Sequence, residues 1–498
     1  MIKRLLPLLA LLFAPSSASA FCGFYVSGSG DKLFADATQV VLMRQGTRTV
    51  LSMQNDYKGP LADFAMVVPV PVVLHEGDVK TLPKDVFAHT DSLGSPRLVE
   101  YWEQNPCPDP RNGVYDGDVA MAPRSAMAGA KYDKSADKDE SVKIEAKFEV
   151  GEYQILILSA TDSTGLETWL HQNHYQIPPG AEPLLRPYVE GGSKFFVAKV
   201  DPKKVVMQDG HAQLSPIRFH YDSDEFSLPI RLGMANSSGK QDLIVNIISA
   251  DKRFEVANYK NVFIPTNFDV KDSVKQRFGE FYAALFDHTL ERVPGAVVTE
   301  YAWDSGTCDP CPGPTLDPDD LATFGADVLA KNYKDIQPSG FTLTRLHARY
   351  GKTVKNDLVF RAVDPIVGGR GIPDTHGEVT TKVEHTGMNN FQGRYLILHP
   401  WTGEAACANP QRGLWGGPNG NQQIAATPAT NTAFAPRGQT PLATMVKDVP
   451  QVGVLDSKGA SVAIPTRRGC GCQAEGSGGA ILGLGVLAFV LRRRRHGS

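Results

Sequence analysis

Few residues in this chain have types and spacings suited to chemistry, and each of them has a quieter reading beside it. Cys308-Asp-Pro-Cys311 is a Cys-x-x-Cys. As a redox pair it belongs at a helix N-terminus, where the dipole lowers a thiol pKa, but Pro312, Gly313 and Pro314 follow at once and oppose a helix. As a zinc site it needs two further ligands; no second pair has the spacing, and Cys107 and Cys407 are the remote partners on offer. A structural disulfide in a Pro-Gly turn, or two cysteines each pairing elsewhere, is the reading the residues favour. His171 and His174 stand three apart on a predicted helix and would share a face toward a metal. No third ligand is near them and no His-Glu-x-x-His occurs, so an exposed pair is expected.

Two acidic clusters, Asp222-Ser-Asp224-Glu225 and Asp317-Pro-Asp319-Asp320, present hard oxygens suited to calcium. Neither has the glycine and distal glutamate of an EF-hand. The second reads more simply as a helix start with Asp317 as cap and Pro318 in the first turn, and the first as a solvated loop. A Gly-x-Ser-x-Gly elbow and a phosphate loop are both missing. Catalytic, cofactor-binding and metal residues are therefore expected to be none, and the balance points away from an enzyme. The alternative is a surface hydrolase with a dispersed, metal-assisted site, which would gather two or more of His171, His174, His211, His220, Asp222 and Asp224 into one pocket.

The elements that must position these residues read as a mixed α+β body with a largely antiparallel sheet. Gln39–Arg44 and Arg48–Gln54 flank the hairpin material Gln45-Gly46-Thr47, and a third strand over Asp63–Val68 ends at Val-Pro-Val-Pro, where it must leave the sheet or run along its edge. Helices are expected to start at Leu82-Pro83-Lys84-Asp85 and at Ser95-Pro96-Arg97. Tyr153–Leu158 suits a central strand; Asp162 and Ser163 can cap a helix over Thr164–Tyr175, stopped by Pro178-Pro179-Gly180. Asp269–Glu291 has the best 3.6-residue apolar period in the chain. Strands recur over Phe341–Arg361 and Arg394–Leu398. A loosened Gly-x-Tyr-x-Ile-Leu at Gly151 and again at Gly393 hints at two related halves.

With 42% hydrophobic and 21% charged residues the chain is globular rather than disordered, and a formal charge of −3 gives no footprint for nucleic acid. Length allows two or three domains. The expected organisation is a signal peptide at 1–20, a β-rich domain at 21–265 with an exposed small and polar loop at 107–140, and a second α+β domain at 266–405. A Pro/Gly/Ala-rich segment follows at 406–466, read equally as stalk or docked tail, and then a terminal signal at 467–498. Five cysteines, Cys22, Cys107, Cys308, Cys311 and Cys407, lie outside that terminal signal, so at least one is left over from pairing among themselves.

Both ends carry addresses. Lys3 and Arg4, the apolar run Leu5–Phe13 and Ala18-Ser19-Ala20 make an export signal cut after Ala20, and Phe21 argues against lipid attachment at Cys22. At the other end Gly469-Cys470-Gly471-Cys472 precedes an apolar run at 478–491 and then Arg492, Arg493, Arg494 and Arg495. That run reaches roughly 21 Å as a helix, short of a hydrocarbon core of about 30 Å. The arginines should stay cytoplasmic and leave the body outside. In order and position the three parts resemble the MYXO-CTERM sorting signal of myxobacteria and their relatives. The resemblance implies a C-terminal sorting protease acting near the cysteines, transient membrane attachment through the apolar run, and display at the cell surface. The expected partners are thus signal peptidase, that protease and the membrane, with no ligand identified.

A second resemblance rests on Asp63-Phe-Ala-Met-Val-Val-Pro-Val-Pro71, on Thr168-Trp-Leu-x-x-Asn-x-Tyr-x-x-Pro-Pro-Gly180 and on Lys194-Phe-Phe-Val-Ala-Lys199. Over about Phe21–Leu398 the chain resembles the exported bacterial family known as domain of unknown function 2330. Those motifs are a strand exit, a helix with its stop, and a strand. The resemblance therefore implies a fold and no catalytic residue.

Overall fold

Alternation along the strands decides the layering. In the computed structural model Val40 and Leu42 pack into one core, while Val41 and Met43 of the same strand pack into another on the opposite face. The structure describes residues 24–26, 34–58, 65–107, 141–175, 177, 180–208, 211–236, 239–250, 252–332, 335–418, 426–430, 438, 440–447 and 455–456. The expected leader 1–20, Cys22, the body of the 107–140 loop and the terminal signal 467–498 lie outside the described residues.

The fold is α+β and mostly antiparallel. A 12-stranded sheet runs in its central part through Val297–Asp304, Phe341–Tyr350, Gln241–Ala250, Phe34–Gln45, Arg48–Lys58 and Ile217–Asp222. Within this path the pairing of Gln241–Ala250 with Phe34–Gln45 is parallel and its neighbours are antiparallel. A 5-stranded antiparallel sheet containing Ala65–Val70, Lys194–Val200, Tyr153–Ala160 and Val142–Val150 lies over one face. Met66, Val68, Ile155, Ile157 and Phe196 of this sheet meet Leu51, Met53, Phe219 and Val245 of the large one. Its outer face is covered by the helices Ser163–Gln172 and Glu182–Glu190 through Leu166, Leu170, Leu185 and Val189. On the far face of the large sheet sit the helices Asp85–Gly94 and Phe278–Arg292. The sheet draws strands from both sides of residue 265, and the described residues belong to one compact unit that spans Met1–Val462.

Several expectations are met for the stated reasons. Gln45 pairs with Arg48 across a two-residue turn, with Gly46 at φ 60, where a side chain would be strained. Pro69 lies in a strand whose second neighbour, Phe24–Val26, pairs only as far as Val67, so the missing N–H falls where the strand is an edge. Asp162 caps its helix by accepting from the Gly165 N–H. Ser95-Pro96-Arg97 corrects the reading: it opens the strand Arg97–Glu103, not a helix, because Leu98, Val99 and Tyr101 find a parallel partner in Arg394–His399. The helix Glu182–Glu190 was not expected, since Pro183 and Pro187 both discourage one; Pro183 is tolerated in the first turn and Leu185, Tyr188 and Val189 are buried. Gly151 sits in an antiparallel hairpin and Gly393 leads into a strand paired in parallel, so the two Gly-x-Tyr-x-Ile-Leu copies have unlike surroundings.

The described parts of 406–466 dock. Trp415–Gly416 and Ala426–Pro428 pair with Arg97–Glu103, Leu442, Met445 and Val446 are buried against the Phe278–Arg292 helix region, and Leu455–Asp456 pairs with Asn261–Phe263. Among the described residues no helix is long and apolar enough to cross a membrane.

Candidate functional site

The cations of a buried cluster of charges come from one strand. In Phe341–Tyr350 the odd positions Arg345, His347 and Arg349 face the helices, while Leu346, Ala348 and Tyr350 enter the core between the sheets. Next to it, the register of Val297–Asp304 slips between Thr299 and Tyr301, leaving Glu300 as the extra residue. Glu300 lies on the same face as Arg345 and His347 and, freed from a direct cross-strand partner, reaches both. The bulge is held by the Gly393 N–H, which donates to the Glu300 carbonyl at 2.8 Å.

From these positions an alternating chain of charges is built. Arg345 Nη1 donates to Asp91 Oδ1 at 2.7 Å and its Nε to Glu300 Oε2 at 2.7 Å. His347 Nδ1 is 2.7 Å from Glu300 Oε1, and its Nε2 is 3.0 Å from Asp242 Oδ1. Arg349 Nε donates to the same Asp242 oxygen at 2.8 Å and its Nη1 to Asp287. The Tyr282 hydroxyl donates to Glu300, and the Phe286 ring stacks on His347 at 3.7 Å between centroids. Glu300, Arg345 and His347 are 0% exposed.

Electrostatics follow from that geometry. Burial pushes the Glu300 carboxyl up, but His347 and Arg345 overcome it and hold it at about 2. Burial likewise opposes charge on His347, and the facing carboxylates of Glu300 and Asp242 raise its pKa above 6.5. Only an imidazolium donates from both nitrogens at once, which is what two flanking carboxylates demand. Isolated charges at this depth would be prohibitive; a fully paired chain is tolerated.

Arg349 carries this chain to the surface, where it forms part of the wall of an open groove of about 580 Å³. The other wall residues include Ile230, Lys240, Tyr259, Lys260, Leu290, Val354 and Lys355. The loop after Tyr350 is fastened in place. Asp357 accepts from Tyr188 OH at 2.6 Å, from the Ile230 N–H at 2.8 Å and from Arg231 Nη2 at 2.8 Å, while Asn258 Nδ2 donates to its carbonyl at 2.7 Å. The groove is thus preformed rather than assembled from free loops.

The residues singled out by the sequence lie elsewhere. Cys308 and Cys311 are bonded to each other, and Cys107 to Cys407. The 308–311 turn acts as a cover: the Pro310 carbonyl accepts from buried Arg97 at 3.0 Å and the Asp309 carbonyl from Gln392 at 2.9 Å. His171 and His174 are exposed. His220 faces Asp78 at 3.4 Å, Asp222 pairs with Arg48 at 2.7 Å, and Arg44 donates to the carbonyls of Ser223 and Asp224. None of these lines the groove, and the side chain of His211 is outside the described residues. Asp317 accepts from the N–H groups of Asp319 and Asp320 at 2.8 Å each and Asp320 closes a capping box, so that cluster is a helix start. Among the described residues no three or more His, Cys, Asp or Glu side chains are placed to hold a metal ion. Arg-x-His-x-Arg at alternate positions of a strand whose intervening residues, Leu346 and Ala348, are apolar was the signal that could have found the buried chain of charges, together with the facing Glu300.

The model of a bacterial family described as uncharacterized proteins conserved in bacteria, domain of unknown function 2330, matches residues 16–361. The buried charges and the groove both fall inside that span, while Cys407 and the strand Arg394–His399 fall beyond it. No curated protein and no solved structure matches the chain.

Proposed function

We propose that this chain, which belongs to the bacterial family of domain of unknown function 2330, is an exported protein displayed at the cell surface that binds a ligand in the groove beside Arg349 and does no chemistry on it. The observation that carries the binding half is the groove itself. Its wall is fixed from behind by a chain of ion pairs and from the side by Asp357, so little ordering is needed when a ligand arrives. Arg349 is engaged by two carboxylates and His347 stands behind it, 0% exposed, which suits a positioning role.

The export half rests on the terminal signals and gains support from the two disulfides, since such bonds persist in oxidising compartments. On this reading signal peptidase removes 1–20, a sorting protease cuts near Cys470 and Cys472, and 478–491 holds the chain in the membrane until then. Mass spectrometry of the mature protein, combined with protease treatment of intact cells, tests it. The expected result is an N-terminus at Phe21, a C-terminus near Cys470 and digestion from outside. An intact polypeptide with Arg492 to Arg495, confined to the cytosol, would overturn it.

A further inference from the structure

We propose that the groove takes a small multivalent oxyanion, with its charge on carboxylate or phosphate oxygens. This rests on the reading of the groove as a ligand site and adds the class of ligand. All the charged residues of the lining are cations, Lys240, Lys260, Arg349 and Lys355, with no aspartate or glutamate among them. A concave surface lined by one sign of charge focuses its field and concentrates counter-ions there.

The four cations divide into two kinds. Arg349 is neutralised by Asp242 and Asp287, so it contributes shape and fixed position. Lys240, Lys260 and Lys355 are exposed and make no ion pair among the described residues, so three positive charges converge on one concavity with their hydrogen-bonding capacity unspent. Ammonium groups are compact and rotate freely, and they do not impose the planar two-point geometry of a guanidinium. They suit an anion with several oxygens in no single plane. Leu290 and Val354 add apolar wall to meet a carbon skeleton. The groove's size, about 580 Å³, fits a small molecule. The stems are set by a fastened loop: Lys355 precedes Asn356, whose carbonyl accepts from Tyr259, and Asp357.

The test is calorimetric titration of the protein, purified from its own cells, with citrate and with inorganic pyrophosphate. The variant Lys240→Gln/Lys260→Gln/Lys355→Gln is compared with Lys147→Gln/Lys203→Gln/Lys382→Gln, which removes the same charge from exposed positions outside the groove. Both sets are surface changes, and circular dichroism checks that each variant is folded. The expected result is binding of at least one anion, weakened about tenfold or more by the groove variant, unchanged by the control, and weaker in high salt. An equal loss in both variants, or no loss in the groove variant, overturns the proposal. Binding confined to phosphatidylglycerol vesicles, with neither soluble anion bound, overturns it too. If neither anion binds yet native mass spectrometry finds another small molecule retained by the protein and lost in the groove variant, the oxyanion class falls and the binding reading stands.

Discussion

Glu300 and His347 lie side by side at 2.7 Å with both side chains 0% exposed, at the midpoint of a run of charges that begins at Asp91 and ends in the groove wall at Arg349. At the bulge Tyr301 takes the place opposite Arg345, and Glu300, the extra residue, reaches both Arg345 and His347. The contact joins two strands and, through Tyr282 and Asp91, two helices.

Replacing Glu300 with Gln keeps the shape and removes the charge that faces Arg345 and His347. Breaking a buried pair from one side costs about 3–5 kcal/mol. The urea midpoint of E300Q should fall accordingly, and a midpoint equal to that of the unmodified protein would show that the pairing adds nothing.

Stability should depend on pH at both ends of a plateau, with opposite signs. Glu300 is depressed from 4.5 to about 2, so its contribution is present above 4.5 and is lost as pH falls toward 2. His347 is raised above 6.5, so its contribution is complete below 6.5 and is lost as pH rises through the higher folded-state value. Denaturation midpoints measured across pH should show both declines, and His347→Gln should abolish the alkaline one.

The bond between Cys107 and Cys407 ties positions 300 residues apart and anchors the segment that pairs with Arg97–Glu103. Removing it with Cys107→Ser/Cys407→Ser should cost about 2–5 kcal/mol. Limited proteolysis should then cut first between 408 and 430, where Trp415–Gly416 and Ala426–Pro428 add short edges to that strand. Cleavage at the same rate with and without the bond would contradict this.

Asp357 holds the groove loop by accepting from Tyr188, Ile230 and Arg231. In Asp357→Ala those donors lose their acceptor, and amide hydrogen exchange over 351–358 should speed up by about tenfold or more, as expected for the loss of about 1.5–3 kcal/mol of charged hydrogen bonding. Exchange should stay slow in Gln241–Ala250, where all but the last two residues are buried.

Legibility varied with how local the cause was. The Gly46 hairpin, the Asp162 cap and the Asp317 helix start each depend on residues within a few positions of one another, and each was readable. The Arg97–Glu103 strand was not, because its partner Arg394–His399 lies far along the chain and the Ser-Pro before it signals a helix just as well. The helix Glu182–Glu190 was hidden by its prolines, whose cost is offset by burial against a sheet that no local pattern announces. The two cysteine pairs could be expected as a set, but not which thiol meets which.

What the residues determine alone is the balance of strand and helix, the caps and turns, the family, and the expectation of export written at the two termini. Those are short-range properties of composition, period and spacing. The tertiary structure decided the rest. Asp91, Asp242, Asp287, Glu300, Arg345, His347 and Arg349 come from five separate elements, and each is an unremarkable charge until the others remove it from water. The groove is likewise a product of packing. Lys240 and Lys355 meet because Gln241–Ala250 pairs with Phe341–Tyr350, and Lys260 joins them because Asn261–Phe263 pairs with Val297–Asp304, which pairs with Phe341–Tyr350 in turn.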